Sequence, residues 1–150
     1  MINEDSSERD RLAVHTLVVF RRAERKLASL EGEVMKAHGL TPAQFGVLDL
    51  LYAKGPMSVG QLTEKTLSTS GCMTVVIKNM TRDGLVRRVE DPRDKRRALI
   101  SLTDAGRMKI AAVLPEHIAY IGELFEVLTA EEQRTLIRIL KKFKHLRRRD

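Results

Sequence analysis

Two helix-start signals follow each other closely in the middle of the chain, and they constrain the fold more than any other feature. The first, TPAQF at 41–45, offers a threonine cap, a proline at the first helical position and a glutamine that completes a capping box. The second, SVGQL at 58–62, repeats the capping box with serine and glutamine, just after the helix-ending KGP at 54–56. These signals predict two short helices in succession.

A further short helix is predicted after the polar turn LSTSG at 67–71. Its apolar residues recur at i, i+3, i+4 and i+7, which puts them on one inward face: Met73, Val76, Ile77 and Met80. The helix is expected to end at Gly84. The helix that starts near residue 42 turns Phe45, Leu48 and Leu51 inward. Two short helices joined by a tight polar turn form a helix-turn-helix.

The segment that follows is typical of a β-hairpin. LVRRVE at 85–90 and RALISLT at 97–103 are predicted to form two short strands on either side of a charged loop. In the second run Ala98, Ile100 and Leu102 alternate with Leu99 and Ser101, which is the strand period. A hairpin directly after a helix-turn-helix is a wing.

Positive charge is concentrated on this central part of the chain. The formal net charge of +7 and the pI near 9.9 favour a polyanionic partner, nucleic acid first and an anionic membrane surface second. Residues 78–97 hold eight cations and four anions, so they contribute +4 of the total (8 − 4). The cations are Lys78, Arg82, Arg87, Arg88, Arg93, Lys95, Arg96 and Arg97.

The outward face of the helix after the turn carries small, polar and cationic residues, which suit close approach to a DNA major groove. A cationic wing tip beside it can place a guanidinium in the adjacent minor groove, and Asp94 can hold the Arg96 guanidinium in an extended pose. A solvated surface is the alternative, and it is favoured for the basic run at 141–149. The predicted DNA-binding residues are Ser68, Ser70, Gly71, Thr74, Val75, Lys78, Arg82, Asp94, Arg96 and Arg97.

Long amphipathic helices flank the central part. One is predicted from about 9 to 37, and another from 104 to about 127, where Pro115 is expected to introduce a kink. The last helix begins at a capping box formed by Thr129 and Glu132. Its apolar stripe comprises Leu136, Leu140 and Phe143. The flanking helices together carry more apolar surface than one small core can cover, which predicts a homodimer: Leu17, Leu27, Ile118, Ile121, Leu136 and Leu140.

The stretch DPRDKRRALISLTDAGR at 91–107, preceded by STSGCMTVVIKNMTRDGLVRR at 68–88, resembles the MarR family of bacterial winged-helix regulators. The most specific matches are in the wing motif: Asp94, Arg96, Leu102, Thr103 and Gly106. The resemblance covers the whole chain. It implies a mainly α fold, a winged helix-turn-helix with a two-stranded β-hairpin wing and long N- and C-terminal dimerisation helices. We expect a single domain over 1–150, with the winged helix at about 41–103 and dimerisation helices at about 9–38 and 104–147.

The resemblance also implies a function. Members of the family are homodimers that bind pseudo-palindromic operators, and many release DNA when a small aromatic ligand or an oxidant is sensed. We therefore expect a sequence-specific transcriptional regulator, foremost a ligand- or redox-responsive repressor, with activation left open. The alternative is a non-specific or architectural nucleic-acid-binding protein, which would combine a steep salt dependence with little preference among DNA sequences.

Other kinds of chemistry find little support in the sequence. The four histidines are scattered singly and no nucleophile, paired-carboxylate or phosphate-loop pattern occurs, so neither an enzyme nor a cofactor is expected. His38 and Glu33 lack convincing metal-ligand spacing. We expect His15, Arg22 and Phe45 to line an effector cleft, a choice that the family resemblance does not supply, and core or surface roles are the alternative.

The single cysteine indicates the redox state of the protein, and the polar N-terminus indicates its location in the cell. Cys72 excludes an intramolecular disulfide, and the acidic start MINEDSSERDR differs from a signal peptide, so a cytoplasmic protein is expected. Cys72 falls in the first turn of the predicted recognition helix, where a helix dipole favours a thiolate and hence redox sensing. The favoured alternative is a small half-buried thiol that fills a packing gap.

Overall fold

The structure is a computed structural model that describes residues 7–66 and 69–146. In chain order its elements are α1 (Glu8–Ala37), α2 (Pro42–Lys54), α3 (Val59–Lys65), α4 (Ser70–Arg82), β1 (Val86–Asp91), β2 (Asp94–Leu102), α5 (Asp104–Phe125) and α6 (Ala130–Lys141), followed by a 3-10 turn at Lys142–His145. The predicted mainly α fold with a two-stranded hairpin is confirmed. The chain divides into two compact units, residues 1–117 and 118–150.

The three predicted capping boxes are all present, at the starts of α2, α3 and α6. At α2 the Thr41 hydroxyl accepts the Gln44 backbone N–H at 3.2 Å, and the Gln44 side chain accepts the Thr41 N–H at 2.9 Å. At α6 the backbone N–H of Thr129, and after it the Thr129 hydroxyl, hold the pKa of Glu132 below its ordinary value. Each box satisfies two N–H groups that a helix start leaves without partners.

The core of the winged helix is aliphatic and sulfur-rich. Met73, Ile77 and Met80 of α4 are buried as predicted, and Val76 is half-buried against them. The predicted inward residues of α2 are buried too: Phe45, Leu48 and Leu51. Burying one such side chain contributes about 1.5–3 kcal/mol relative to leaving it exposed. This packing fixes the opposite face of α4 toward solvent.

The wing differs from its prediction at the tip. β1 and β2 pair antiparallel in a regular register from Val86–Leu102 to Glu90–Ala98, and the register then shifts so that Asp91 faces Asp94. The second strand therefore begins at Asp94 and not at residue 97, which reduces the turn to two residues. Ala98 is exposed although it alternates with Leu99, because the hairpin has left the core at that point and residues 92–98 are all exposed. Ile100 and Leu102, the next two residues on that side of the strand, are buried.

The base of the wing is tied to the helices on both sides. Ile100 exchanges two backbone hydrogen bonds with Met57, at 2.7 and 3.0 Å, which anchors β2 to the segment before α3. The Thr103 hydroxyl donates to the Gly84 carbonyl at 2.6 Å and accepts the Gly106 N–H at 3.0 Å. The Thr103 N–H donates to the Leu85 carbonyl at 3.1 Å.

Gly106 lies against that same carbonyl. A Cβ at this position would stand 2.0 Å from the Leu85 oxygen, so the close approach requires glycine. The contact accounts for the Leu-Thr-x-x-Gly part of the wing motif. The threonine closes the junction by hydrogen bonds, and the glycine lets the start of α5 reach it.

The flanking helices expose much apolar surface. Every residue of α1 from Glu8 to Lys26 is exposed, including six large apolar side chains: Leu12, Val14, Leu17, Val18, Val19 and Phe20. α5 continues as helix through Pro115 and ends at Phe125, two residues before its predicted end. Within residues 7–66 and 69–146 no helix is both long and apolar enough to cross a membrane.

An open apolar groove of about 470 Å³ lies between the end of α5 and α6. Ile121 and Phe125 line it from α5, and Leu136 and Leu140 from α6. The predicted place of Phe143 on the α6 stripe is wrong. α6 ends at Lys141, and Phe143 lies exposed in the 3-10 turn that follows.

In the described part of the chain, two histidine–carboxylate pairs join α1 and its C-cap to α5. The His38 Nε2 lies 2.6 Å from Glu116 Oε2, and the His117 Nε2 lies 2.9 Å from Glu31 Oε1. The His117 ring also packs on Phe45, with ring centroids 4.3 Å apart. Glu31 belongs to α1 and His38 is the C-cap of that helix, whereas Glu116 and His117 both belong to α5, an arrangement that the sequence does not suggest.

Gly106→Ala should destabilise the protein by about 1–3 kcal/mol, because the added methyl group meets a backbone oxygen that cannot move without displacing the base of the wing. The free energy of unfolding in urea measures the effect. Gly32→Ala in α1 is the matched control, since a Cβ there meets nothing within 4 Å, and it should be neutral or stabilising. Equal stability of Gly106→Ala and the parent protein would contradict the role given to this contact.

Candidate nucleic-acid interface

α4 presents an exposed face that is small at its start and cationic at its end. Gly71, Val75, Lys78 and Arg82 lie at spacings of three and four residues, so they share one side of the helix, and all four are exposed. Thr74 flanks them and is exposed as well. The buried side chains of α4 occupy the opposite side, so packing alone decides which face meets a partner.

The charge on this face is not uniform. The Arg82 Nε lies 3.0 Å from the Asp83 carboxylate, and both side chains are largely exposed. An exposed pair of this kind is worth about 0–1 kcal/mol, so a phosphate can replace Asp83 as the partner of Arg82. Lys78 has no ion pair within the described part of the chain, which leaves its ammonium available to a phosphate or a guanine.

Of the polar turn predicted at 67–71, the structure describes the last three residues, at the start of α4. Thr69 caps the helix, and its hydroxyl accepts the Cys72 N–H at 3.3 Å. Ser70 is the first helical residue, but its side chain lies outside what the structure describes. Ser68 lies outside the described residues altogether, so its predicted DNA contact stays a prediction.

Cys72 lies in the first turn of α4, as predicted, and it is exposed. The interpretation as a half-buried thiol that fills a packing gap is therefore wrong. Met73, the next residue, points into the core instead. The helix turns by about 100° per residue, so the neighbour of a fully buried side chain can face solvent.

The wing tip is organised by two aspartates acting on the backbone. Asp91 accepts the Arg93 N–H at 2.9 Å, and Asp94 accepts the Arg96 N–H at 3.0 Å. The expectation that Asp94 holds the Arg96 guanidinium is wrong, because a short carboxylate in a tight turn reaches the N–H two residues ahead. Among the described residues the Arg96 guanidinium forms no ion pair.

Three cations of the tip stand outside the strand ladder. Lys95, Arg96 and Arg97 have no partner in the register, because Ala98 already pairs with Glu90 and Asp94 with Asp91. All three are exposed. The register shift thus forms a bulge made of cations, and the bulge turns them away from the regular ladder.

The structure adds cations that the predicted set of DNA-binding residues leaves out. Arg87 and Arg88 of β1 are exposed, as are Arg93 in the turn and Lys95 in the bulge. The charge count over 78–97 includes all four, so the signal was present in the sequence. What the sequence lacked was the register that tells which side chains point away from the core.

The three predicted effector residues are not alike in their surroundings. His15 and Arg22 are exposed on the first half of α1. Phe45 is buried in the core and packs on the His117 ring, so it offers no exposed ring for a ligand to stack on. The predicted stacking role of Phe45 is therefore wrong, and the roles of His15 and Arg22 at an effector cleft stay predictions.

The part of the chain that the structure describes contains no group of three or more His, Cys, Asp or Glu residues placed to hold a metal ion. His38, which the sequence pairs with Glu33 as a weak candidate, contacts Glu116 instead. His38 and His117 therefore each contact one carboxylate, and neither belongs to a larger group of metal-ligating side chains in the described residues.

Comparisons with known proteins agree with this geometry. A model of the MarR family matches residues 38–97. The HTH-type transcriptional regulator YkoM of Bacillus subtilis is 37% identical over 140 residues, which is 93% of this chain and 89% of YkoM. A mutant of Escherichia coli MarR, solved in complex with operator DNA, is 25% identical, covers 91% of this chain and 98% of its own, and superposes with a TM-score of 0.78.

A third similar protein is Bordetella bronchiseptica BpsR, whose structure concerns regulation of DNA binding by 6-hydroxynicotinic acid. It is 25% identical, covers 87% of this chain and 98% of its own, and has a TM-score of 0.77. The relatives are transcriptional regulators and not enzymes. The chain therefore belongs to the MarR family of DNA-binding winged-helix transcriptional regulators.

Proposed function

We propose that this regulator is a repressor that binds a pseudo-palindromic operator as a homodimer, with α4 in the major groove and the wing tip in the minor groove. The observation that carries the proposal is the cationic bulge at Lys95–Arg97 in the same compact unit as the exposed face of α4. Helix and bulge offer two contacts of different shape to a duplex, and B-DNA has two grooves of different width.

The shape of each element suits its groove. α4 spans 13 residues, about 20 Å, and the major groove at about 12 Å wide admits one helix. The minor groove is about half as wide and focuses negative potential, which favours an extended guanidinium such as that of Arg96. The two aspartate hydrogen bonds hold the backbone of the tip, so the side chains of the bulge stay available to DNA.

A second copy of the chain is the proposed occupant of the exposed apolar surface on α1. Six large apolar side chains are exposed within residues 12–20, a density that soluble monomers rarely show. A two-fold symmetric dimer would pair these surfaces and present two recognition helices about 34 Å apart, one turn of DNA. A dimer bound across a promoter would exclude RNA polymerase, which makes repression the simplest outcome.

The signal that would release DNA is proposed to be a small aromatic compound or an oxidant. BpsR supports the first, since 6-hydroxynicotinic acid regulates its DNA binding. His15 and Arg22 are exposed and open to a ligand, whereas Cys72 is exposed on α4 and open to an oxidant. A ligand shifts the population only as far as its affinities for the DNA-ready and DNA-incompetent states differ.

Arg96→Ala should weaken specific binding by about 1–3 kcal/mol, because the variant loses a minor-groove contact while the exposed side chain contributes little to folding. The measurement is a titration at fixed salt against a duplex enriched from random DNA by the parent protein. Arg134→Ala, an exposed cation of α6, is the control and should bind as the parent does.

Unchanged affinity of Arg96→Ala at matched salt would reject the wing as a groove reader. Failure of the parent protein to enrich any sequence, together with a steep salt dependence, would favour the non-specific architectural protein instead.

Asp94→Ala and Asp94→Asn should change DNA affinity in opposite directions. Both variants remove a negative charge beside the DNA, which alone would tighten binding. Asp94→Asn keeps an oxygen to accept the Arg96 N–H, so it should bind at least as tightly as the parent. Asp94→Ala loses that hydrogen bond and should bind more weakly, by about 1 kcal/mol. Equal tightening by both variants would show that the turn does not position Arg96.

Sedimentation of the purified protein at micromolar concentration should give a dimer. Leu17→Glu combined with Phe20→Glu should shift it toward monomer, because two charges would then lie in a desolvated interface. Val75→Glu is the matched control, since Val75 is equally apolar and exposed but lies on α4, and it should leave the dimer intact. A stable, folded parent monomer would contradict the proposed assembly.

A further inference from the structure

Val75 is an apolar side chain that the fold leaves in solvent. It is 57% exposed in the middle of α4. Among the described residues of 42–103, the other exposed large apolar side chain is Tyr52, and its ring is covered by the Arg107 guanidinium at 5.6 Å. A β-branched residue on an exposed helix face has below-average helix propensity, so folding does not explain its presence.

Gly71 lies one turn before Val75 on the same face. Its backbone is not in the left-handed region, and a Cβ there would meet nothing within 4 Å. The fold therefore has room for alanine, which would favour the helix. Glycine that the fold does not require is typical of a place where a ligand approaches the backbone closely.

The rest of the face indicates what kind of ligand fits. Lys78 and Arg82 follow Val75 at three and seven residues, so bare backbone, two methyl groups and two cations follow one another along the helix. A major groove offers acceptors and phosphates for the cations. The major groove also offers the C5-methyl group of thymine, an apolar group on the base edge that the two methyl groups of Val75 can contact.

We propose that Val75 contacts the C5-methyl of one thymine in each operator half-site, and that Gly71 lets the helix approach closely enough for this contact. The inference rests on the proposed function, because only a regulator that reads base sequence would use it. The middle of α4 would thus recognise one particular base, thymine. The cations toward the end of the helix would supply affinity that depends less on the DNA sequence.

The test replaces single thymines by deoxyuridine, which removes the methyl group and nothing else. A duplex enriched from random DNA by the parent protein is scanned in this way through one half-site. The parent should lose about three- to fivefold in affinity at one position, the value of one buried methyl group. Val75→Ala should be insensitive at that position and respond as the parent does at all others.

Two results overturn the contact. One is an equal response of the parent and Val75→Ala to every deoxyuridine, and the other is an enriched half-site without thymine. In both cases the protein still binds a specific DNA sequence, so the result rejects the contact with thymine and not the proposed function. If no sequence is enriched, base reading itself fails and the contact with it. Thermal unfolding of Val75→Ala checks that this exposed substitution leaves the fold intact.

Gly71→Ala tests the close approach separately. It should keep or raise thermal stability and yet lower affinity for the enriched duplex about tenfold or more, because the added methyl group holds the helix away from the bases. Gly32→Ala, with the same open space around its Cβ, is the control and should bind as the parent does. Unchanged affinity of Gly71→Ala would overturn this part of the proposal.

Discussion

The contact of Gly106 with the Leu85 carbonyl is the constraint on which the rest of the winged helix depends. Four segments meet at this point: the end of α4, the start of β1, the end of β2 and the start of α5. The Thr103 hydroxyl bonds there to Gly84, between α4 and β1, and to Gly106 of α5. A reading helix and a wing can contact one duplex together only if the angle between them is fixed. Here a missing side chain, one hydroxyl group and the backbone hydrogen bonds beside them hold the junction, and no charged side chain is buried among the described residues.

In the wing, the aspartates have two possible kinds of partner, the neighbouring cationic side chains and the backbone N–H groups of the turn. Cations crowded on a hairpin would ordinarily pair with the acids among them, and a pair at the surface gains at most about 1 kcal/mol. In this wing Asp91 and Asp94 bind backbone N–H groups instead. The two aspartates therefore stabilise the turn, and the guanidinium groups of the tip form no ion pair with the described residues. The seven residues from 91 to 97 thus hold both the aspartates that order the backbone of the tip and the cations that it presents.

Local features could be predicted from the sequence because their partners are a few residues apart. The capping boxes join residues i and i+3, and the buried face of α4 follows from its periodicity, so both were correct. The pair Glu31–His117 joins residues 86 positions apart, and no periodicity signals such a contact. Cys72 and Asp94 were misjudged for a related reason: residue type indicates what a side chain can bind, but only the register and the helix rotation decide what it faces.

The bulge in the wing has a consequence for how this protein can evolve. In a regular hairpin, inserting one residue reverses the face of every side chain beyond it. Here the ladder from Ala98 to Leu102 is set by its pairing with β1 and with Met57, independently of the residues between 92 and 97. An insertion or deletion in the tip would change its reach by about 3.3 Å for every two residues, one on each side of the hairpin, while Ile100 and Leu102 keep facing the core. The length of the tip is thus free to diverge between descendants of this chain without a cost to the fold.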